Sequence, residues 1–120
     1  SRSIEGENPL YLPQAKTYDR SAALGACIYV PPTRISPDTN ITLEIHRNNA
    51  AIFTDSIRID QIKRSHDELV EYLYRECSFP YGCFLMTGTG IIPPADFTLA
   101  SGDEIRITID EIGTLVNKVA

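Results

Sequence analysis

The sequence predicts a β-rich α+β domain, on three observations. Apolar and polar residues alternate along Ile41-Thr42-Leu43-Glu44-Ile45-His46 and again along Glu104-Ile105-Arg106-Ile107-Thr108-Ile109-Asp110, as on half-buried strands. Paired asparagines, Asn48-Asn49, stand where the first of these must turn. Only one segment, over 65–77, carries both helical spacing and a helix-start signal.

Residues 1–18 read as a long ordered loop, because the Asn8-Pro9 and Leu12-Pro13 steps remove backbone donors and restrict the preceding residues. Ala26-Cys27-Ile28-Tyr29-Val30 reads as a strand stopped by Pro31-Pro32. The alternating run at 41–46 turns through Arg47-Asn48-Asn49-Ala50 into Ala51-Ile52-Phe53-Thr54, which predicts a hairpin. Ser65 can cap the helix while Glu68 reaches back to complete a capping box. Leu69, Val70, Leu73 and Cys77 then share one helical face. Phe79-Pro80-Tyr81-Gly82 ends that helix and leads to an apolar strand at 83–86, followed by the glycine turn Gly88-Thr89-Gly90. Phe97-Thr98-Leu99 precedes the turn Ala100-Ser101-Gly102-Asp103, and residues 113–119 can return beside the strand at 104–110. The expectation is roughly six strands to one helix.

With 120 residues, 42% of them hydrophobic, the chain can bury one core and is short for two. A formal net charge of −5 with interspersed signs offers no basic stripe for nucleic acid and no polybasic membrane anchor. The longest apolar runs, such as Cys83-Phe84-Leu85-Met86, fall far short of a membrane span. These features predict a cytoplasmic protein without nucleic-acid or membrane partners. Cys27, Cys77 and Cys83 are odd in number and lack a C-x-x-C pair, so they are expected to be reduced, mostly buried and structural. Asn40-Ile41-Thr42 is a glycosylation sequon only in a secreted chain.

His46 and His66 have no partner at ligand or nucleophile spacing and are expected at the surface. Lys63-Arg64-Ser65-His66-Asp67-Glu68 reads as a solvated helix start. Lys16, after a proline-structured loop with small and aromatic neighbours, is either a surface lysine or a base; burial or a neighbouring cation would favour the neutral amine a base needs. Thr87-Gly88-Thr89-Gly90 is either a tight turn or a place where backbone amides and the Thr89 hydroxyl meet a carboxylate.

Those two places also carry a resemblance. The segment from Ser1-Arg2-Ser3-Ile4-Glu5-Gly6-Glu7 through Pro9-Leu10-Tyr11-Leu12-Pro13-Gln14-Ala15-Lys16 is similar to the stretch after the last metal-binding aspartate in the fumarylacetoacetate hydrolase superfamily. Leu85-Met86-Thr87-Gly88-Thr89-Gly90-Ile91-Ile92-Pro93-Pro94, then Gly102-Asp103 and Ile112-Gly113-Thr114-Leu115-Val116-Asn117, resembles its C-terminal signature. Thr-Gly-Thr-Gly followed by Pro93-Pro94, in place of Thr-Gly-Thr-Pro, looks like the branch that dehydrates 2-keto-3-deoxy sugar acids such as the arabonate. Ser3 departs from the aspartate that many members carry there.

The resemblance implies a mixed β-sandwich or β-roll fold, a homodimer, Lys16 as catalytic base, and substrate-binding roles for Arg2, Glu5, Gly88 and Thr89. It also implies a divalent cation, magnesium or else manganese or calcium, held by a Glu-x-Glu pair and an aspartate upstream of Ser1, so that this chain contains no metal ligand. Glu5 and Glu7 copy the spacing but align elsewhere. Residues 1–120 are accordingly expected to be the C-terminal portion of one catalytic domain, inactive alone. In the whole enzyme the cation would chelate the carboxylate and 2-oxo group of a small 2-oxo acid and acidify its C3 hydrogens. Loss of the C4 hydroxyl would then follow. Cleavage of an acylpyruvate begins from the same bound acid and is the alternative; a non-catalytic dimerisation or binding domain is the second.

Overall fold

The computed structural model describes residues 3–120. Its centre is one antiparallel sheet with the order β2-β1-β3-β4. The strands are β1 (Asn40–Arg47), β2 (Ala50–Arg58), β3 (Glu104–Ile109) and β4 (Gly113–Lys118). The two alternating runs become the two central strands, paired Ile41 with Ile109, Leu43 with Ile107 and Ile45 with Ile105. Directly paired residues share a face, so this register stacks the aliphatic side chains on one side of the sheet. The opposite face carries Thr42, Glu44 and His46 against Thr108, Arg106 and Glu104.

The β1–β2 hairpin turns at Asn48 and Asn49, with φ of 52° and 64°. Asparagine is the side-chain-bearing residue best suited to consecutive left-handed positions, and such a turn matches the strand twist. A bulge between Ile45 and His46 adjusts the register beside it. The core is small: Ile45 and Ile91 are buried, and the Phe53 and Phe97 rings stand 5.9 Å apart.

The N-terminal segment is more regular than its prolines suggest. A 3-10 turn at Pro9–Tyr11 is capped by Asn8, whose Oδ1 accepts from the Leu10 amide at 2.9 Å. It runs into α1 (Leu12–Lys16), where Pro13 lies in the first turn and forfeits no helical hydrogen bond. Ala15 of this helix is fully buried. The main helix, α2 (His66–Tyr74), starts as expected, with Ser65 Oγ accepting from the Glu68 amide at 3.1 Å. Glu68 does not return the second bond of the box among the described residues, and the helix stops three residues short of Cys77.

Two expected strands are absent. Residues 26–30 and 83–86 have no ladder partner among the described residues and remain outside the sheet. Strand propensity without a neighbour to accept its hydrogen bonds makes no strand. Their apolar side chains are correspondingly exposed, Val30 at 81% and Phe84 at 67%. All three cysteines are exposed as well, which corrects the expectation of burial, because they belong to these uncovered segments or to the end of the helix face. No helix of the described residues is long and apolar enough to cross a membrane.

Candidate functional site

Of the residues singled out from the sequence, Lys16 and Glu5 come together. Glu5 sits in a 3-10 turn, Ser3–Gly6, which packs against α1, and its Oε2 lies 2.9 Å from the Lys16 Nζ. The side chain of Lys16 is 54% exposed and its neighbour is a carboxylate. Of the two readings of its surroundings, the structure has the exposed one: the short helix buries Ala15 and leaves the lysine at its rim. Arg2 lies outside the described residues.

Gly88 and Thr89 form a second locus. Gly88 has φ 89°, a conformation that glycine adopts without steric penalty. Thr89 Oγ1 accepts from the Ile91 amide at 3.1 Å and donates to the Ile91 carbonyl at 3.2 Å, so the hydroxyl shapes the turn above the buried Ile91. Gly90 lies so close to β2 that a Cβ there would run into the Ile57 side chain. The turn lines a cleft of about 360 Å³ together with the aliphatic Ile41, Ile57, Ile62 and Leu69 and the polar Gln61, Lys63 and Arg64. Lys16 and Glu5 do not line it.

Two features were not anticipated. Arg47 clamps Asp103 in a fork, with Nε to Oδ1 and Nη2 to Oδ2 both 2.8 Å, while the Ala100 amide donates to Oδ2. Asp103 is 1% exposed. The Arg47 hydrogen bonds, with that amide, hold its carboxyl at about 2, well below the usual carboxylate range. The clamp closes the end of the sheet beside the Gly102-to-Val119 and Val119-to-Asp103 backbone hydrogen bonds. The Ala100-Ser101-Gly102-Asp103 turn was legible in the sequence; its pairing with an arginine 56 residues away was not.

His46 is the other correction. Its side chain is only 18% exposed and its Nε2 is buried without a hydrogen-bond partner, 3.7 Å from the Glu44 carboxylate. Alternation places it on the polar face, but that face is crowded by Glu104, Arg106 and Lys118, which with His46 line a polar cleft of about 510 Å³. Hydrogen bonding from Arg106 holds the Glu104 carboxyl below its ordinary range.

Among the described residues no group of three or more His, Cys, Asp or Glu could hold a metal ion. The residues present do not by themselves fit a divalent cation.

Residues 1–120 match the family described as fumarylacetoacetate (FAA) hydrolase C-terminal. The chain is 44% identical over 120 residues to a probable 2-keto-3-deoxyxylonate dehydratase of Haloferax volcanii, covering 99% of this chain and 42% of that protein. It is 39% identical to the 2-dehydro-3-deoxy-D-arabinonate dehydratase of Saccharolobus solfataricus, with 99% and 40% covered. A solved 2-keto-3-deoxy-D-arabinonate dehydratase, complexed with magnesium and 2,5-dioxopentanoate, superimposes with a TM-score of 0.91 at 39% identity, covering 98% of this chain and 42% of that one. The chain thus spans about two-fifths of the length of these relatives. With the whole sequence matched and the four-stranded sheet superimposed, the chain belongs to the fumarylacetoacetate hydrolase C-terminal family.

Proposed function

We propose that the protein carrying this chain is a magnesium-dependent hydro-lyase that dehydrates a 2-keto-3-deoxy sugar acid, and that residues 1–120 are the C-terminal portion of its single catalytic domain. The observation that supports this most is the end-to-end identity, 44% and 39%, with two sugar-acid dehydratases. The metal ligands are assigned to the part of the protein upstream of Ser1. A homodimer in the cytoplasm, with a small 2-oxo acid as its only substrate partner, completes the reading.

Within it, Lys16 takes a proton from C3 of the substrate. Glu5, 2.9 Å away, orients the amine. The bond to the C4 hydroxyl then breaks; the proton from C3 and that hydroxyl together make up the water lost, and tautomerisation gives a semialdehyde. Gly88 and Thr89 hold the substrate carboxylate through the backbone of their turn, which the Thr89 bridge to Ile91 keeps in shape.

Incubating the whole protein and magnesium with a panel of 2-keto-3-deoxy acids and acylpyruvates tests the reading. Loss of water from a sugar acid supports it. Carbon–carbon cleavage of an acylpyruvate, with the sugar acids untouched, replaces it by the hydrolase alternative.

A further inference from the structure

These residues leave more surface uncovered than a finished domain does. Their accessible surface is 9619 Å², whereas a compact chain of 13.4 kDa exposes about 6,500 Å². The excess is about 3,000 Å². The radius of gyration, 15.8 Å, also exceeds the roughly 14 Å of a compact domain of this length. In a sequence 42% hydrophobic, Ala15, Ile45 and Ile91 are the buried apolar residues among those described.

Two segments stand out in this surface. Cys27-Ile28-Tyr29-Val30 and Cys83-Phe84-Leu85-Met86 are each apolar throughout, without alternation, which is the pattern of a strand covered on both faces inside a sheet. Here Ile28, Tyr29 and Val30 are all exposed, as are Phe84, Leu85 and Met86. The backbone amides and carbonyls of 26–30 and 83–86 make no hydrogen bond among the described residues, so each segment still offers the donors and acceptors of a ladder. Both are fastened to the folded part. The Tyr29 hydroxyl donates to Glu111 in the β3–β4 turn at 3.4 Å, and 83–86 leads into the turn whose Gly90 packs on Ile57 of β2.

We infer that residues 26–30 and 83–86 are the docking surface for the part of the same protein upstream of Ser1, which adds strands beside them and completes the core. A protein as long as the curated relatives has about three-fifths of its chain outside these residues, ample to supply that cover. Area argues against a second copy as the occupant. Each partner in a standard complex gives up about 800 Å², and in a large obligate dimer roughly 2,500 Å², less than the excess found here. The inference rests on the reading of residues 1–120 as part of one larger domain, and not on the reaction assigned to it.

The test uses the whole wild-type protein. Amides in 26–30 and 83–86 should exchange with deuterated water about 10²-fold or more slowly than in the unfolded chain. Cys27 and Cys83, exposed in residues 1–120 alone, should react with a maleimide far more slowly in the native protein than in denaturant. Exchange at the unfolded rate in either segment overturns the inference. Phe84→benzoylphenylalanine then identifies the occupant on irradiation. A cross-link within one chain to a peptide upstream of Ser1 supports the inference; one that joins two chains, or that stays within residues 1–120, overturns it. If that variant does not fold, Val30 carries the photoprobe instead. None of these readouts depends on turnover, so a whole protein that dehydrates no sugar acid refutes the functional reading and leaves the docking surface to be decided by protection and cross-linking.

Discussion

Lys16 and Glu5 form a half-exposed ion pair, whose contribution to stability is small because water screens both partners. Their importance lies in position. Lys16→Met keeps the apolar stem and deletes the amine, so turnover by the whole protein should fall about 10²-fold or more while the fold persists; a steady-state assay with circular dichroism checks both. Asp103 is the opposite kind of residue, fully buried. Its carboxyl is held at about 2 by Arg47 and the Ala100 amide, below its ordinary 3.8, so it binds its proton less readily when folded. The clamp's stabilisation is therefore complete above the ordinary carboxylate range and is lost as pH falls through that range toward about 2. Denaturant midpoints measured across this acid range should show that decline in the wild type, and Asp103→Asn should lower the neutral-pH midpoint and flatten the decline.

At the scale of elements, the Thr87–Gly90 turn depends on one hydroxyl for its shape. Thr89→Ser retains the bridge to Ile91 and should bind substrate much as the wild type does. Thr89→Val removes it and should weaken binding by about 1–3 kcal/mol, seen as a rise in KM. Equal KM values for the two variants would show that the bridge plays no part in binding. The elements that could be read from the sequence are those whose signals are local. Alternation along β1 and β3, the Asn48-Asn49 turn and the Ser65 cap each act within a few residues, and each is present. The runs at 26–30 and 83–86 carry the same composition but make no strand, because a ladder needs a second chain segment beside it and composition does not specify one. The site divides along the same line: Lys16 and the Gly88-Thr89 turn stand out by their local context, whereas the Arg47–Asp103 clamp and the placing of Lys63 and Arg64 in the same cleft as Thr89 exist only through tertiary placement.

For the molecule as a whole, the sheet order β2-β1-β3-β4 sets the cleft against β1 and β2, lined by the Thr87–Gly90 turn, and the Lys16–Glu5 pair is not among its lining residues. With no ligand cluster among the described residues and Glu5 engaged by Lys16, the isolated 120-residue chain should not bind magnesium at micromolar concentration in a calorimetric titration. Micromolar binding would place the metal site within this chain. The proposed reaction removes a C3 proton and then water from a 2-keto-3-deoxy sugar acid, and proton NMR of 2-keto-3-deoxy-arabinonate with the whole protein and magnesium in deuterated water reads both events. The C3 signals should disappear as 2,5-dioxopentanoate forms; C3 protons that persist with no dehydrated product contradict the dehydratase reading.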